Sequence, residues 1–197
     1  VLNMNKLISF VFIIIFFNSS ATQSAGFGLG FGESPESYGC TAGTNPGYFI
    51  CEDVPKPHSD FDGFIVFASD SEGICVVMAV GKTITDNRNG TSTKSKVDSF
   101  SKLLSKPYGT PTSNSDFVVS GALYDDDEYW LMGLLKKERY YSYSWKNLEI
   151  ENKPLLKSIY LAASALSSDK GFMKLEYYSH KYDSCKAEVE NSQMDAL

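Results

Sequence analysis

Residues 71–87, SEGICVVMAVGKTITDN, carry an apolar run from Ile74 to Val80 straight into Gly81-Lys82-Thr83. A glycine, a lysine and a hydroxyl after a strand are how a phosphate-binding loop ends, with the lysine on the phosphates and the hydroxyl on magnesium. That loop needs a glycine five residues ahead of Gly81, where the backbone curls round the phosphates, and Val76 stands there. The residues beyond Thr83 lead into the turn DNRNG, not into a helix whose N-terminus would hold an anion. GKT is therefore expected to be the exit of a hairpin strand. GFGLGFG at 26–32 fails the dinucleotide fingerprint in the same way, because Phe31 or Glu33 takes the place of the last glycine.

Acid, base and metal chemistry are equally weakly signalled. The run Asp125, Asp126, Asp127, Glu128 fans its carboxylates around a helix start, where they suit capping and the positive end of the dipole. A calcium site needs oxygens that converge. Asp60-Phe61-Asp62-Gly63 is a fragment of a calcium loop without its third acidic position or its distal glutamate. His58 and His180 are the only histidines, and neither lies in a metal-binding spacing or near a GxSxG nucleophile elbow. A hydrolase would have to assemble its site from distant parts of the chain, for instance His58, Asp60 or Asp62 and a remote serine. No metal and no cofactor is expected.

Binding is better served. In KPHSD, 56–60, two prolines at 55 and 57 stiffen the loop that presents His58 and Asp60, which lowers the cost of ordering it against a partner. This string resembles the KPHD loop of one type of periplasmic lysozyme inhibitor, with Ser59 as an added residue and without that loop's flanking cysteines. Ser120-Gly121-Ala122-Leu123-Tyr124 is similar to the SGxxY string of another inhibitor type. The resemblances imply an inhibitory contact by a loop. Tyr140, Tyr141, Tyr143 and Trp145 crowd one strand, and alternation sets Tyr141, Tyr143 and Trp145 on one face with Tyr140 on the other. One face is expected to be core and the other a patch for a protein or carbohydrate partner, since tyrosine buries large area at low entropic cost.

The elements that must position these residues follow from periodicity. Strands are expected at 26–32, 48–52, 64–68, 74–80, 117–124, 138–146, 158–166 and 172–180, the last three as a meander. A helical turn is expected after Ser34-Pro35. An amphipathic helix at 93–105 would bury Val97, Phe100, Leu103 and Leu104 and end before Pro107, and a second helix is expected at 126–137. The tail after Cys185 reads as a polar helix. The whole is an α+β domain, a mostly antiparallel sheet with two main helices packed on one face and two disulfides.

Lys6 followed by the apolar core Leu7–Phe17 and small polar residues reads as a secretory signal peptide over residues 1–21, with Ala25 as a later cleavage site; residues 22–197 form one domain. The core is too short to span a bilayer, so no membrane insertion is expected after cleavage. Loss of Lys6 moves the formal charge from −6 to −7, and so acidic a domain lacks the basic footprint that nucleic acid requires. An even set of cysteines, Cys40, Cys51, Cys75 and Cys185, suits disulfides in an oxidising compartment. Glycines 43 and 47 with Pro46 let the chain turn between Cys40 and Cys51, leaving Cys75 for Cys185. The resulting expectation is a periplasmic or secreted binding or inhibitory protein, acting on an envelope or extracellular protein, with a hydrolase or a non-catalytic envelope subunit as alternatives.

Overall fold

The runs FDGFIVFAS and GICVVMAVG pair antiparallel in the computed structural model, which describes residues 24–194, as β5 (Phe61–Ser69) and β6 (Gly73–Gly81). Neither alternates apolar with polar, because both of its faces are covered. Val77 and Ala79 enter the main core, whereas Val76 and Phe67 join a second cluster with Cys75 and Cys185. Gly81-Lys82-Thr83 leaves the end of β6, as expected for a strand exit.

The remaining strands build on this hairpin. With β3 (Thr41–Ala42), β4 (Tyr48–Cys51), β8 (Ser113–Val118), β9 (Arg139–Trp145), β10 (Leu156–Ser167) and β11 (Lys170–Ser179), the order across the sheet is β3-β4-β5-β6-β11-β10-β9-β8. β7 (Ile84–Thr85) adds to one end of β11, giving nine strands among the described residues, all paired antiparallel. The meander β9-β10-β11 is as expected. α1 (Thr91–Tyr108) and α2 (Trp130–Leu135) pack on one face, over β9 and β10. α3 (Tyr182–Met194) lies against β5 and β6 on the other, where Tyr182 and Val189 meet Phe67 and Val76. Disulfides link Cys40 with Cys51 and Cys75 with Cys185, the pairing expected. They fit an oxidising location outside the cytoplasm. Among the described residues no helix is long and apolar enough to cross a membrane. The expected signal segment lies outside the described residues.

Several boundaries differ from expectation, each for a local reason. GFGLGFG is a hairpin of β1 (Ser24–Gly26) and β2 (Leu29–Gly30), not one strand, because Phe27 and Gly28 adopt positive φ and reverse the chain. Phe27 then caps the core, edge-on to Phe61, Phe64 and Tyr177. α1 runs through Pro107, whose missing N–H falls in the last turn, and buries Thr93, Val97, Phe100, Ser101 and Leu104 while Leu103 points out. Strand β8 ends at Val118 instead of starting at Phe117, since Val119–Ala122 closes a turn with Gly121 at positive φ. The second helix is preceded by a 3-10 turn at Asp127–Tyr129, which Asp126 caps by accepting from the Glu128 N–H at 2.8 Å. α3 begins ahead of Cys185.

The turn after GKT has its own task. Asp86 accepts from the N–H of Asn87, Ser92 and Thr93 and from the Thr93 hydroxyl at 2.7–3.1 Å, satisfying orphan donors at the start of α1. Burial pushes its carboxyl upward, but these donors together outweigh that and hold it below the ordinary range. Gly90 enters the helix at φ 65°, and a Cβ there would strike the buried ring of Trp130.

Candidate functional site

The His58 loop is held down at several points. Lys56 N–H donates to the Phe27 carbonyl at 2.9 Å, Asp60 N–H donates to His58 Nδ1 at 3.2 Å, and Phe61 N–H to the His58 carbonyl at 3.0 Å. An acceptor at Nδ1 puts the proton of the neutral ring on Nε2. The imidazole packs edge-on against Phe61 and Phe100, and Asp60 binds Lys96 Nζ of α1 at 2.6 Å. His58 keeps 42% of its side chain exposed. The loop is thus rigid, with one imidazole edge open.

Tyr141, Tyr143 and Trp145 share a face, as alternation requires, and it is the face turned to α1. The two tyrosine hydroxyls both donate to Asp98 Oδ1, at 2.5 and 2.9 Å. Burial, reinforced by the bond to Asp98, pushes the Tyr141 phenol far above its usual range, and burial raises Tyr143 as well. Trp145 is fully buried and donates from Nε1 to the Gly109 carbonyl at 2.7 Å. These contacts tie β9 to the middle and the C-terminal end of α1. Tyr140, on the opposite face, is 38% exposed and stacks on Phe117, itself 51% exposed, at 5.0 Å.

Among the described residues, that opposite, outer face is covered by α3 at one end and by no other helix. Register defines one rung across it: Ile50, Ile65, Met78, Glu176, Tyr160, Ser144 and Ser113 stand side by side. Glu176, in the middle, is buried to 5% exposure although the face around it is open. Its carboxylate accepts from the Tyr178 hydroxyl and pairs with Lys174 Nζ at 2.8 Å. Burial, together with this neighbouring carboxylate, pushes the Tyr178 phenol far upward. Tyr160, Tyr178, Tyr182, Lys146 and Lys157 border it in a cleft of about 380 Å³. Glu176 is engaged on both sides, so it acts as a fixed polar anchor among aromatic rings and lysines. Such a surface offers ring area and charge-assisted hydrogen-bonding groups.

Sequence reasoning singled out the β9 aromatics and the His58 loop but not this cleft; of those aromatics, Tyr141, Tyr143 and Trp145 turn to α1 and Tyr140 faces outward. Alternation in KLEYYS places Lys174, Glu176 and Tyr178 on one face, and that signal could have found it. Among the described residues no three His, Cys, Asp or Glu side chains gather to hold a metal ion. His58 and Asp60 lie together on one loop, while the 120–124 string forms the turn after β8, where the Leu123 and Tyr124 N–H groups donate to Glu138 Oε2 at 2.9 Å. Comparison of the chain with protein-family models, with curated proteins and with solved structures finds no match.

Proposed function

We propose that this is an exported binding protein, periplasmic or secreted, that acts on a protein partner in the envelope or outside the cell, as an inhibitor or a similar ligand. The observation that carries the reading is the outer face of the sheet: a rung of apolar, tyrosine and serine side chains around a satisfied, buried carboxylate, with Ile50, Phe117 and Tyr140 exposed on the same face. Contiguous exposed apolar and aromatic groups mark contact surfaces. The oxidised cysteines and the signal-like segment support export. Cleavage after Ala21 leaves β1 whole, whereas cleavage after Ala25 removes Ser24 and the fully buried Ala25.

A second locus is favoured by the His58 loop, which is already ordered and exposes an imidazole edge. The two are separated by capture from envelope and secreted extracts on the immobilised oxidised protein and two variants, Tyr160→Glu on the outer face and His58→Ala on the loop. A stoichiometric protein retained by the parent and by His58→Ala, and lost with Tyr160→Glu, is expected. Loss with His58→Ala alone moves the contact to the loop. Capture of nothing, with turnover of a screened substrate, replaces binding by hydrolysis.

A further inference from the structure

Among the described residues the sheet ends at β8, which pairs only with β9. Val119 N–H donates to the Glu138 carbonyl at 2.7 Å, one step beyond the pair Val118–Arg139. Antiparallel bonding alternates, so the odd-numbered residues of β8 bond inward to β9. The N–H and C=O groups of Asn114, Asp116 and Val118 therefore point away from the sheet. This is an open edge, and it carries few of the usual defences: no proline, lysine or bulge interrupts SNSDFV.

The two faces beside the edge differ in chemistry. Phe117 and its stacking partner Tyr140 stand exposed on the outer face. On the inner face stands Asp116, aligned with Tyr141, and beyond Val118 the acidic run Asp125–Glu128 is anchored by the contact of Asp127 with Arg139. Arg139 is buried and committed to that contact, and Lys146, next to Thr112, marks the opposite end of the edge. An added strand would thus need apolar residues on one side and basic residues on the other, alternating with a period of two. A second copy is disfavoured by charge. Antiparallel pairing centred on Asp116 sets two carboxylates directly opposite, between two copies of a chain that is net acidic, −6 over the full sequence.

We infer that β8 is a strand-addition site that takes an extended, basic-and-apolar segment of a partner protein, hydrogen-bonded to Asn114, Asp116 and Val118. The inference rests on the binding reading above and names the partner's chemistry. The probe is a blocked hexapeptide of alternating lysine and valine, added at about millimolar concentration to the full exported protein, with affinity and amide hydrogen exchange measured residue by residue.

Two variants make the test specific. Asp116→Pro removes an outward N–H together with the carboxylate, which an edge strand tolerates, and leaves the ladder to β9 intact. Asp116→Lys keeps the backbone and reverses the charge. Slowed exchange at Asn114, Asp116 and Val118, with affinity lowered roughly tenfold in each variant, is expected. Unchanged affinity in Asp116→Pro, or protection at the 53–62 loop or the outer face instead, overturns edge pairing while leaving the binding reading intact. Concentration-dependent self-association that Asp116→Pro abolishes overturns the choice of partner in favour of a second copy. Absence of peptide protection together with failure of capture from extracts overturns the binding reading as well.

Discussion

Replacing Cys75 and Cys185 together by alanine should cost much more than replacing Cys40 and Cys51. The first bridge closes a separation of 110 residues, and loop-closure entropy assigns it about 4.7 kcal/mol. The second closes 11 residues, which corresponds to about 2.8 kcal/mol. Both pairs are buried, so the loss of sulfur volume is similar and the difference of about 2 kcal/mol isolates loop length. The structural consequences should differ too. Cys185 is the one fully buried residue of α3, and the helix otherwise rests on partly buried Tyr182 and Val189 and on mostly exposed polar links from Glu188 to Ser69 and Ser71, from Asp183 to Lys157 and from Ser184 to Glu72. Without the Cys75 link, α3 should exchange its amides freely while β5, β6 and β11 stay protected. Urea unfolding gives the energies and hydrogen exchange gives the location. Equal losses for the two variants, or a protected α3 without its disulfide, would refute the reasoning.

Further outcomes follow from the same contacts. Gly90→Ala should destabilise by about 2–4 kcal/mol in urea unfolding, because the left-handed backbone and the Trp130 ring both oppose a Cβ. Asp86→Ala should cost about 1–2 kcal/mol by removing the cap of α1. The carboxyl of Asp86 is held below its unfolded value, so its contribution is complete above the unfolded pKa and disappears as pH falls through the folded one; unfolding curves taken between neutral and acid pH should show a shallower loss in the variant. Tyr141, Tyr177 and Tyr178 are raised, chiefly by burial. Their unfolded phenols ionise first, so stability should decline as pH rises beyond about 10, and the ultraviolet titration should show tyrosines that ionise only on unfolding. Peptide mapping without reduction should recover Cys40 joined to Cys51 and Cys75 to Cys185; free thiols at these positions would remove the argument for an oxidising compartment.

Periodicity made the centre of the fold readable. The continuous apolar runs of β5 and β6 announced burial on both faces, and the meander β9-β10-β11 followed from alternation and from the SSDKG turn. Positions where a single backbone angle decides the path were hidden. Phe27 at positive φ splits GFGLGFG, and the exposed Leu103 shows that Thr93 and Ser101, not a second leucine, complete the buried stripe of α1. The site was half readable for a related reason. Alternation grouped Tyr141, Tyr143 and Trp145 correctly, but which face α1 would cover depends on the path of the chain between β7 and β8. Asp98, the acceptor shared by the two tyrosines, lies more than forty residues away in sequence, and no local pattern pairs them. Glu176 escaped notice because a carboxylate in a strand reads as a solvated position until Tyr178 and Lys174 are seen to close over it.

The central claim, that the open side of the sheet meets a partner, is tested most directly by photo-cross-linking in cells that export the protein. A photoreactive residue replaces Tyr140, 38% exposed on the outer face beside β8, or Leu103, 44% exposed on the outward side of α1. The account predicts one discrete protein adduct from position 140 and none from 103. Adducts from 103 alone, or from neither position, would contradict it.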